Sequence, residues 1–279
     1  MPELPEVETI RRGLEPHLCG KRLQSLCVHE PRLRWPVDEA KIKTAIENRR
    51  LQDIRRRAKY LLFDFEGGQT LLVHLGMSGQ LRLLRKPAEL ERHDHIQLFF
   101  EGGLELRYRD PRRFGMMDVV AIDRVAGHPR LQHLGAEPLD ETIPADSFYH
   151  TVRKSRKPIK NLLMDATFMV GVGNIYANEA LFYAGVHPET PAHRLPLEKW
   201  RELLACVRQV LRKALREGGT TLNDFVDSRG EPGYFQLSLA VYGREGEPCP
   251  QCGSAIQKTV LTGRGTFFCP RCQPFIAPD

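Results

Sequence analysis

Near its C-terminus the chain reads CPQCGSAIQKTVLTGRGTFFCPRC: one C-x2-C pair, sixteen residues, and a second C-x2-C pair, formed by Cys249, Cys252, Cys269 and Cys272. Nothing else in the sequence constrains the fold as tightly. Four thiolates from two knuckles close a tetrahedral zinc site and leave no open coordination position, so the metal is structural and not catalytic. Iron held by the same four thiolates is the alternative. The intervening residues predict a hairpin that carries Lys258 and Arg264. A basic hairpin suits a DNA groove or a phosphate, and a plain folding staple is a compatible, simpler reading. The other three cysteines, Cys19, Cys27 and Cys206, are scattered and read as ordinary buried thiols, which argues against a disulfide framework.

Ahead of the tail, 279 residues are enough for two domains with real cores. Val7, Ile10, Leu14 and Leu18 recur at helical spacing and predict an amphipathic helix over 4–18, with Pro5 in its first turn and Gly20 ending it. Seven short, mostly alternating runs follow: QSLCVHE, YLLFDFE, TLLVHLG, GQLRLLR, HIQLFFEGG, LELRYRD and MMDVVAI. Strands of this length and spacing predict a β-sandwich with the leading helix packed on one side. Residues 125–145, rich in Gly and Pro, read as a joint, and 145–217 carry the longer helical period. GVGN at 171–174 reads as a tight turn entering a helix, and 218–235, rich in Gly and polar residues, as a loop. The expectation is an α+β chain: a β-sandwich domain over 1–130, a helical domain over 131–244 and a four-cysteine zinc finger over 245–279.

The charge is mildly basic, 41 Lys and Arg against 35 Asp and Glu. The distribution says more than the sum. Basic residues cluster in ENRRLQDIRRRAKY (47–60), RYRDPRRFG (107–115) and TVRKSRKPIK (151–160), a pattern that suits a polyanion track as well as solvated surface. No apolar run approaches the ~18 residues that span a bilayer, and the acidic start lacks the layout of a signal peptide. A cytoplasmic protein without a membrane partner is the expectation.

The first eight residues, MPELPEVE, raise a chemical possibility. On composition alone Pro2 and Glu3 are helix-capping residues. If Met1 is removed, which a small second residue permits, Pro2 presents a secondary α-amine. Such amines titrate near ~7.7–8.0, so roughly a tenth is unprotonated at neutral pH. Condensed with an aldehyde-like carbon, a secondary amine gives a cationic iminium that acidifies the neighbouring C–H for elimination, with Glu3 beside it as proton donor or acceptor.

MPELPEVETIRRGL, RRRAKYLL, HLGMSGQLR, HDH, DPRRFG, GVGNIYANEALF, GGTTLNDFV, GEPGYF, VYGREGEPC and the terminal finger occur in one order from residue 1 to about 273. Together they resemble the bacterial formamidopyrimidine-DNA glycosylases. The resemblance implies a β-sandwich joined to a helix-two-turn-helix domain and a zinc finger. It implies excision of oxidised purines such as 8-oxoguanine and ring-opened formamidopyrimidines, followed by strand cleavage through β,δ-elimination. Its nucleophile falls on Pro2 and its acid on Glu3, with Glu6 in a secondary part. Its elimination-assisting lysine falls on Lys59, and its lesion-phosphate arginine on Arg264. The side chains that fill the gap left by an extruded nucleotide fall on Met77, Arg112 and Phe114; a lone Met or Phe is otherwise usually core, but here each lies in a Gly-flanked loop among arginines.

Asn174 matches a phosphate clamp and equally suits a plain N-cap. His74, His93, Lys154, Tyr242 and Lys258 match weaker backbone contacts, and the 218–235 loop matches the segment that covers the extruded base. The start PELPEVE departs from the PEGPE of the related endonuclease VIII group, which prefers oxidised pyrimidines. The implied cofactor is one structural zinc, the implied partner damaged duplex DNA, and the implied setting the bacterial nucleoid; a monomer is the expectation, because a duplex-enclosing cleft between two domains needs no second subunit. A zinc-bearing duplex binder that recognises damage without cutting is the competing reading.

Overall fold

The structure, a computed structural model, describes residues 2–85, 89–218 and 239–275. These residues form two units, one reaching from the N-terminus to Gln132 and the other from His133 to Glu217 together with the C-terminal part.

The first unit opens with α1 (Leu4–Leu18). Leu4, Val7, Ile10, Leu14 and Leu18 line its buried face, and Pro5 sits in the first turn, where its missing N–H leaves no carbonyl unpaired. Gly20, just beyond the C-cap Cys19, takes φ +83° and lets the chain leave the helix. Two four-stranded antiparallel sheets follow. One has the order β1 (Leu23–Val28), β6 (Asp94–Phe100), β7 (Leu104–Arg109), β5 (Gln80–Leu84). The other has the order β2 (Leu51–Arg57), β3 (Tyr60–Phe65), β4 (Gln69–His74), β8 (Met116–Ala121). α1 packs on β2 and β3, and α2 (Glu39–Ile46), capped by the Asp38 side chain on the Lys41 N–H, packs on β1, β4 and β8. One core joins the sheets and both helices, including Ile10, Leu14, Phe63, Phe65, Val73, Ile96, Phe100 and Tyr108. Full burial of each such side chain is worth roughly 1.5–3 kcal/mol. The β-sandwich with its leading helix is as expected from the sequence.

The second unit is helical: α3 (Ala145–Val152), α4 (Ile159–Leu163), α5 (Asn174–Tyr183) and α6 (Leu197–Arg216). α6 buries one stripe, Trp200, Leu203, Leu204, Val207, Leu211 and Ala214, and the Trp200 indole N–H donates to the Ala145 carbonyl at 2.9 Å. α5 is buried on every side from Ile175 to Phe182, which marks it as the core helix of the unit. The tail forms a hairpin of β9 (Gln257–Leu261) and β10 (Arg264–Phe268), and β10 packs on α5.

Candidate active site and metal centre

At the N-terminus Pro2 is half-buried and Glu3 is the N-cap of α1, in extended backbone. The Glu3 carboxylate accepts the Glu6 backbone N–H, and Glu6 Oε2 accepts the Glu3 N–H at 2.8 Å. This reciprocal capping satisfies two N–H groups that a helix start otherwise leaves open. Both acids are buried, Glu3 at 3% exposure and Glu6 at 7%. Chain ends ordinarily fray; here a carboxylate is locked next to Pro2 at the positive end of a helix dipole. The capping accounts for the position of the Glu3 carboxylate beside Pro2.

Lys59 lies in the turn between β2 and β3, next to Ala58, whose φ of 53° is left-handed and costs an alanine about 1 kcal/mol. The Arg56 guanidinium donates to the Ala58 carbonyl at 2.9 Å and holds that turn. Opposite, the Tyr60 and His74 rings lie 4.6 Å apart, and the two residues pair across β3 and β4. Burial, with the Lys59 and Arg34 cations, pulls His74 down to about 4. Its Nδ1 accepts the Gly76 N–H at 3.0 Å, so the neutral ring carries its proton on Nε2. His74 is thus a neutral hydrogen-bond donor at physiological pH.

Met77, Arg112 and Phe114 come from two loops that pack together. Met77 and Phe114 are 41% and 40% exposed, unlike core residues, and the Arg112 guanidinium lies 4.8 Å from the Phe114 ring centre. A Cβ on Gly76 would run into the Phe114 backbone, so only glycine allows this approach. Between the loops sits Asp110, fully buried. Its carboxylate accepts from Ser78 Oγ at 2.7 Å, from the Gly115 N–H at 2.8 Å and from the Tyr108 hydroxyl at 3.3 Å. Ser78 Oγ in turn accepts the Arg112 N–H at 3.2 Å. His93 is not a strand residue: it stands before β6 with φ 77°, and its carbonyl accepts the Asp110 N–H at 3.1 Å. Asp110, Ser78 and Tyr108 were not among the residues singled out from the sequence, although the Asp inside DPRRFG was in view; only its burial reveals what it holds.

In the second unit, Arg264 is exposed and pairs in register with Leu261 beside the hairpin turn, with no ion pair among the described residues. Lys258 lies nearer the open end, opposite Phe267, with its ammonium 3.0 Å from Glu245. Asn174 is not the cap of α5. That position is Gly173, and the Asn174 amide donates to the Gly265 carbonyl at 3.0 Å. The buried Lys160 ammonium donates to the same carbonyl at 3.1 Å and to Thr266 Oγ1 at 2.6 Å. Asn178 Oδ1 accepts the Phe267 N–H at 2.9 Å. Helices α4 and α5 thus grip the strand that carries Arg264. Tyr242 packs edge-on against Phe267, and its N–H and those of Ala240 and Val241 all donate to the buried Glu179 carboxylate at 2.7–2.9 Å. Lys154 is exposed just past α3, 2.8 Å from His150. A charged residue inside an apolar helical run, Lys160 in PIKNLL or Glu179 in NEALF, is the signal that would have found these anchors. Met1 and all of the 218–235 loop beyond Gly218 lie outside the described residues.

The sulfurs of Cys249, Cys252, Cys269 and Cys272 lie within 4.8 Å of one another, with Cys249–Cys272 at 3.8 Å and Cys252–Cys269 at 3.4 Å. Zn–S bonds of about 2.3 Å in a tetrahedron separate sulfurs by about 3.8 Å, so the donor set fits the ion. Cys19, Cys27 and Cys206 are only partly buried.

The N-terminal domain model of formamidopyrimidine-DNA glycosylase matches residues 1–117, its H2TH domain model 134–226, and the zinc finger model found in FPG and IleRS 246–274. The formamidopyrimidine-DNA glycosylase of Acidithiobacillus ferrooxidans is 51% identical over 273 residues, covering 98% of this chain and all of the relative. The chain belongs to the formamidopyrimidine-DNA glycosylase family. It is a DNA glycosylase of DNA repair, and its four cysteines hold one structural zinc. The enzyme of Methylococcus capsulatus is 48% identical over the same coverage. Among solved structures, Lactococcus lactis Fpg (MutM) in complex with DNA containing N7-benzyl-Fapy-dG superposes with a TM-score of 0.90 at 37% identity, covering 98% of this chain and all of that one. Thermus thermophilus MutM (Fpg) gives 0.86 at 43% identity, with 98% of each chain covered. The formamidopyrimidine-DNA glycosylase architecture of sandwich, helical H2TH domain and zinc finger is therefore that of this chain. No described helix is long and apolar enough to cross a membrane.

Proposed function

We propose that this glycosylase excises oxidised purines, 8-oxoguanine and formamidopyrimidines, from duplex DNA and then cleaves the abasic strand by β,δ-elimination. The observation that carries the reading is the reciprocal capping of Glu3 and Glu6, which fixes Glu3, the residue next to Pro2, where a chain end would otherwise fray. A nucleophile gains most when its position is set before the substrate arrives.

With Met1 removed, the Pro2 amine bonds to the sugar C1′ and the damaged base departs with the electrons of the glycosidic bond. The Glu3 carboxylate takes the proton that the amine loses on bonding and passes it to the sugar ring oxygen, the ring opens, and an iminium remains. Loss of a C2′ proton, with help from Lys59, expels the 3′ phosphate; a second elimination, aided by Arg264, expels the 5′ phosphate. Glu6 serves indirectly, by holding Glu3. Met77 and Phe114 wedge into the stack, and Arg112 hydrogen-bonds the orphaned base. His74, His93, Lys154, Asn174, Tyr242 and Lys258 contact phosphates. For Lys258 this means exchanging Glu245 for DNA, and for Asn174 using the amide hydrogen not given to Gly265. Zinc supplies no step; bound by four thiolates, it rigidifies the base of the Arg264 hairpin.

The working divisions are 1–130, 131–244 and 245–279, in a cytoplasmic monomer that acts on the bacterial chromosome. Lactococcus lactis Fpg has been crystallised with DNA containing N7-benzyl-Fapy-dG and with DNA containing an oxidised pyrimidine; the PELPEVE start supports purines here. An uncleaved N-terminal extension tests the mechanism: strand cleavage should be lost while duplex binding stays measurable. Full cleavage by the extended protein would overturn it.

A further inference from the structure

The first unit carries a second group of cations with no part in the reaction above. After β1 the chain makes a tight turn over 31–37, closed by the Val37 N–H on the Pro31 carbonyl at 2.9 Å and anchored by buried Leu33 and Val37. Arg34 and Trp35 stand between these anchors, Arg34 exposed and Trp35 half-buried. A second turn brings Arg130 to the same indole. It is fixed by the Leu131 N–H on the His128 carbonyl at 2.8 Å and by His128 Nε2, 3.3 Å from Asp118. The Arg34 and Arg130 guanidinium carbons lie 4.9 Å and 3.8 Å from the Trp35 ring centre.

Two cations on one ring lie within about a Debye length and repel each other. Among the described residues neither Arg34 nor Arg130 makes an ion pair, whereas Arg11, Arg12, Arg55, Arg56, Arg107 and Arg113 of the same unit do. The indole holds both by cation–π attraction, which removes side-chain freedom before any ligand arrives. Their field reaches the Tyr60–His74 pair: Arg34 helps to lower His74, and both arginines oppose the burial that raises Tyr60. The pair therefore extends the positive surroundings of Lys59 and His74. Positive charge left unpaired and pre-ordered suits an anion with several acceptor oxygens, and guanidinium matches phosphate.

We propose that Trp35 braces Arg34 and Arg130 as a two-armed clamp for a backbone phosphate of bound duplex DNA, apart from the residues that handle the lesion. This rests on the DNA-repair reading above. The clamp reads no sequence and no damage; it adds affinity and salt dependence.

The test is equilibrium binding of a duplex with a tetrahydrofuran abasic analogue, and of the same duplex undamaged, across a salt series. Arg130→Ala should weaken both duplexes several-fold and by the same factor, and lower the slope of log K against log salt by about 0.9. Arg130→Lys, which keeps the charge, should restore most of the slope, and Trp35→Leu should weaken binding although it removes no charge. An unchanged slope in Arg34→Ala and Arg130→Ala, both folded by thermal melting, would overturn the clamp, as would a loss confined to the lesion duplex. Wild-type protein that fails to bind either duplex would instead overturn the DNA reading itself.

Discussion

A single buried carboxylate organises the part of the first unit that is proposed to enter the DNA stack. Asp110 is bonded to both loops that carry Met77, Arg112 and Phe114, and it receives a hydroxyl from each side and a backbone N–H. Asp110→Ala strands those buried donors, and each unsatisfied group costs about 1–3 kcal/mol. We expect a loss of roughly 3–5 kcal/mol in denaturant unfolding, together with slower excision, because the loops lose their common fastening. Asp110→Asn keeps an acceptor and the volume and should cost less on both counts. Stability within about 0.5 kcal/mol of wild type in Asp110→Ala would contradict this assignment. The left-handed backbone at Arg113, φ 55°, lies between Arg112 and Phe114 and is further strain that this network holds in place.

Among the elements, the zinc hairpin and the grip of α4 and α5 act as one mount. Zinc fixes its base, where the Cys269 N–H donates to Gln273 Oε1 at 2.9 Å and Gln273 Nε2 donates to the Val186 carbonyl at 2.8 Å. Lys160, Asn174 and Asn178 fix the strand that carries Arg264. Chelation of zinc, or Cys269→Ser, should lower duplex binding and nicking together by about tenfold or more, because a metal-held element loosens without its metal. Helical content should fall little, since the helical core lies elsewhere. Normal nicking with zinc shown to be gone would remove the hairpin from the mechanism. The elements themselves were unevenly legible. α1 was readable to its ends because its apolar spacing and its Pro and Gly signals agree. β2 was not, because it is an edge strand with an irregular register near Asp53 that buries only Leu51 and Ile54, three residues apart, amid charge. α2, two turns long, buries only Ile42 and Ile46, too little for a period to show.

For the molecule as a whole, motifs spread from Pro2 to Cys272 carried the family and the fold into view from the sequence, and near-full-length relatives at 51% and 48% identity bear the family out. What the sequence withheld are the buried polar anchors, Asp110, Lys160 and Glu179, whose effect depends on partners far along the chain. The proposed chemistry is divided between the units, with the amine and its acid in the first and Arg264 in the second, on a chain of net charge +6. All of it depends on a covalent bond between the terminal ring nitrogen and a sugar carbon. Borohydride reduction during turnover on an 8-oxoguanine duplex, with mass spectrometry of the product, tests that bond directly. The account predicts a stable protein–DNA adduct with the cross-link on Pro2. Correctly processed protein that binds the duplex yet yields no adduct, or an adduct on a lysine, would contradict it.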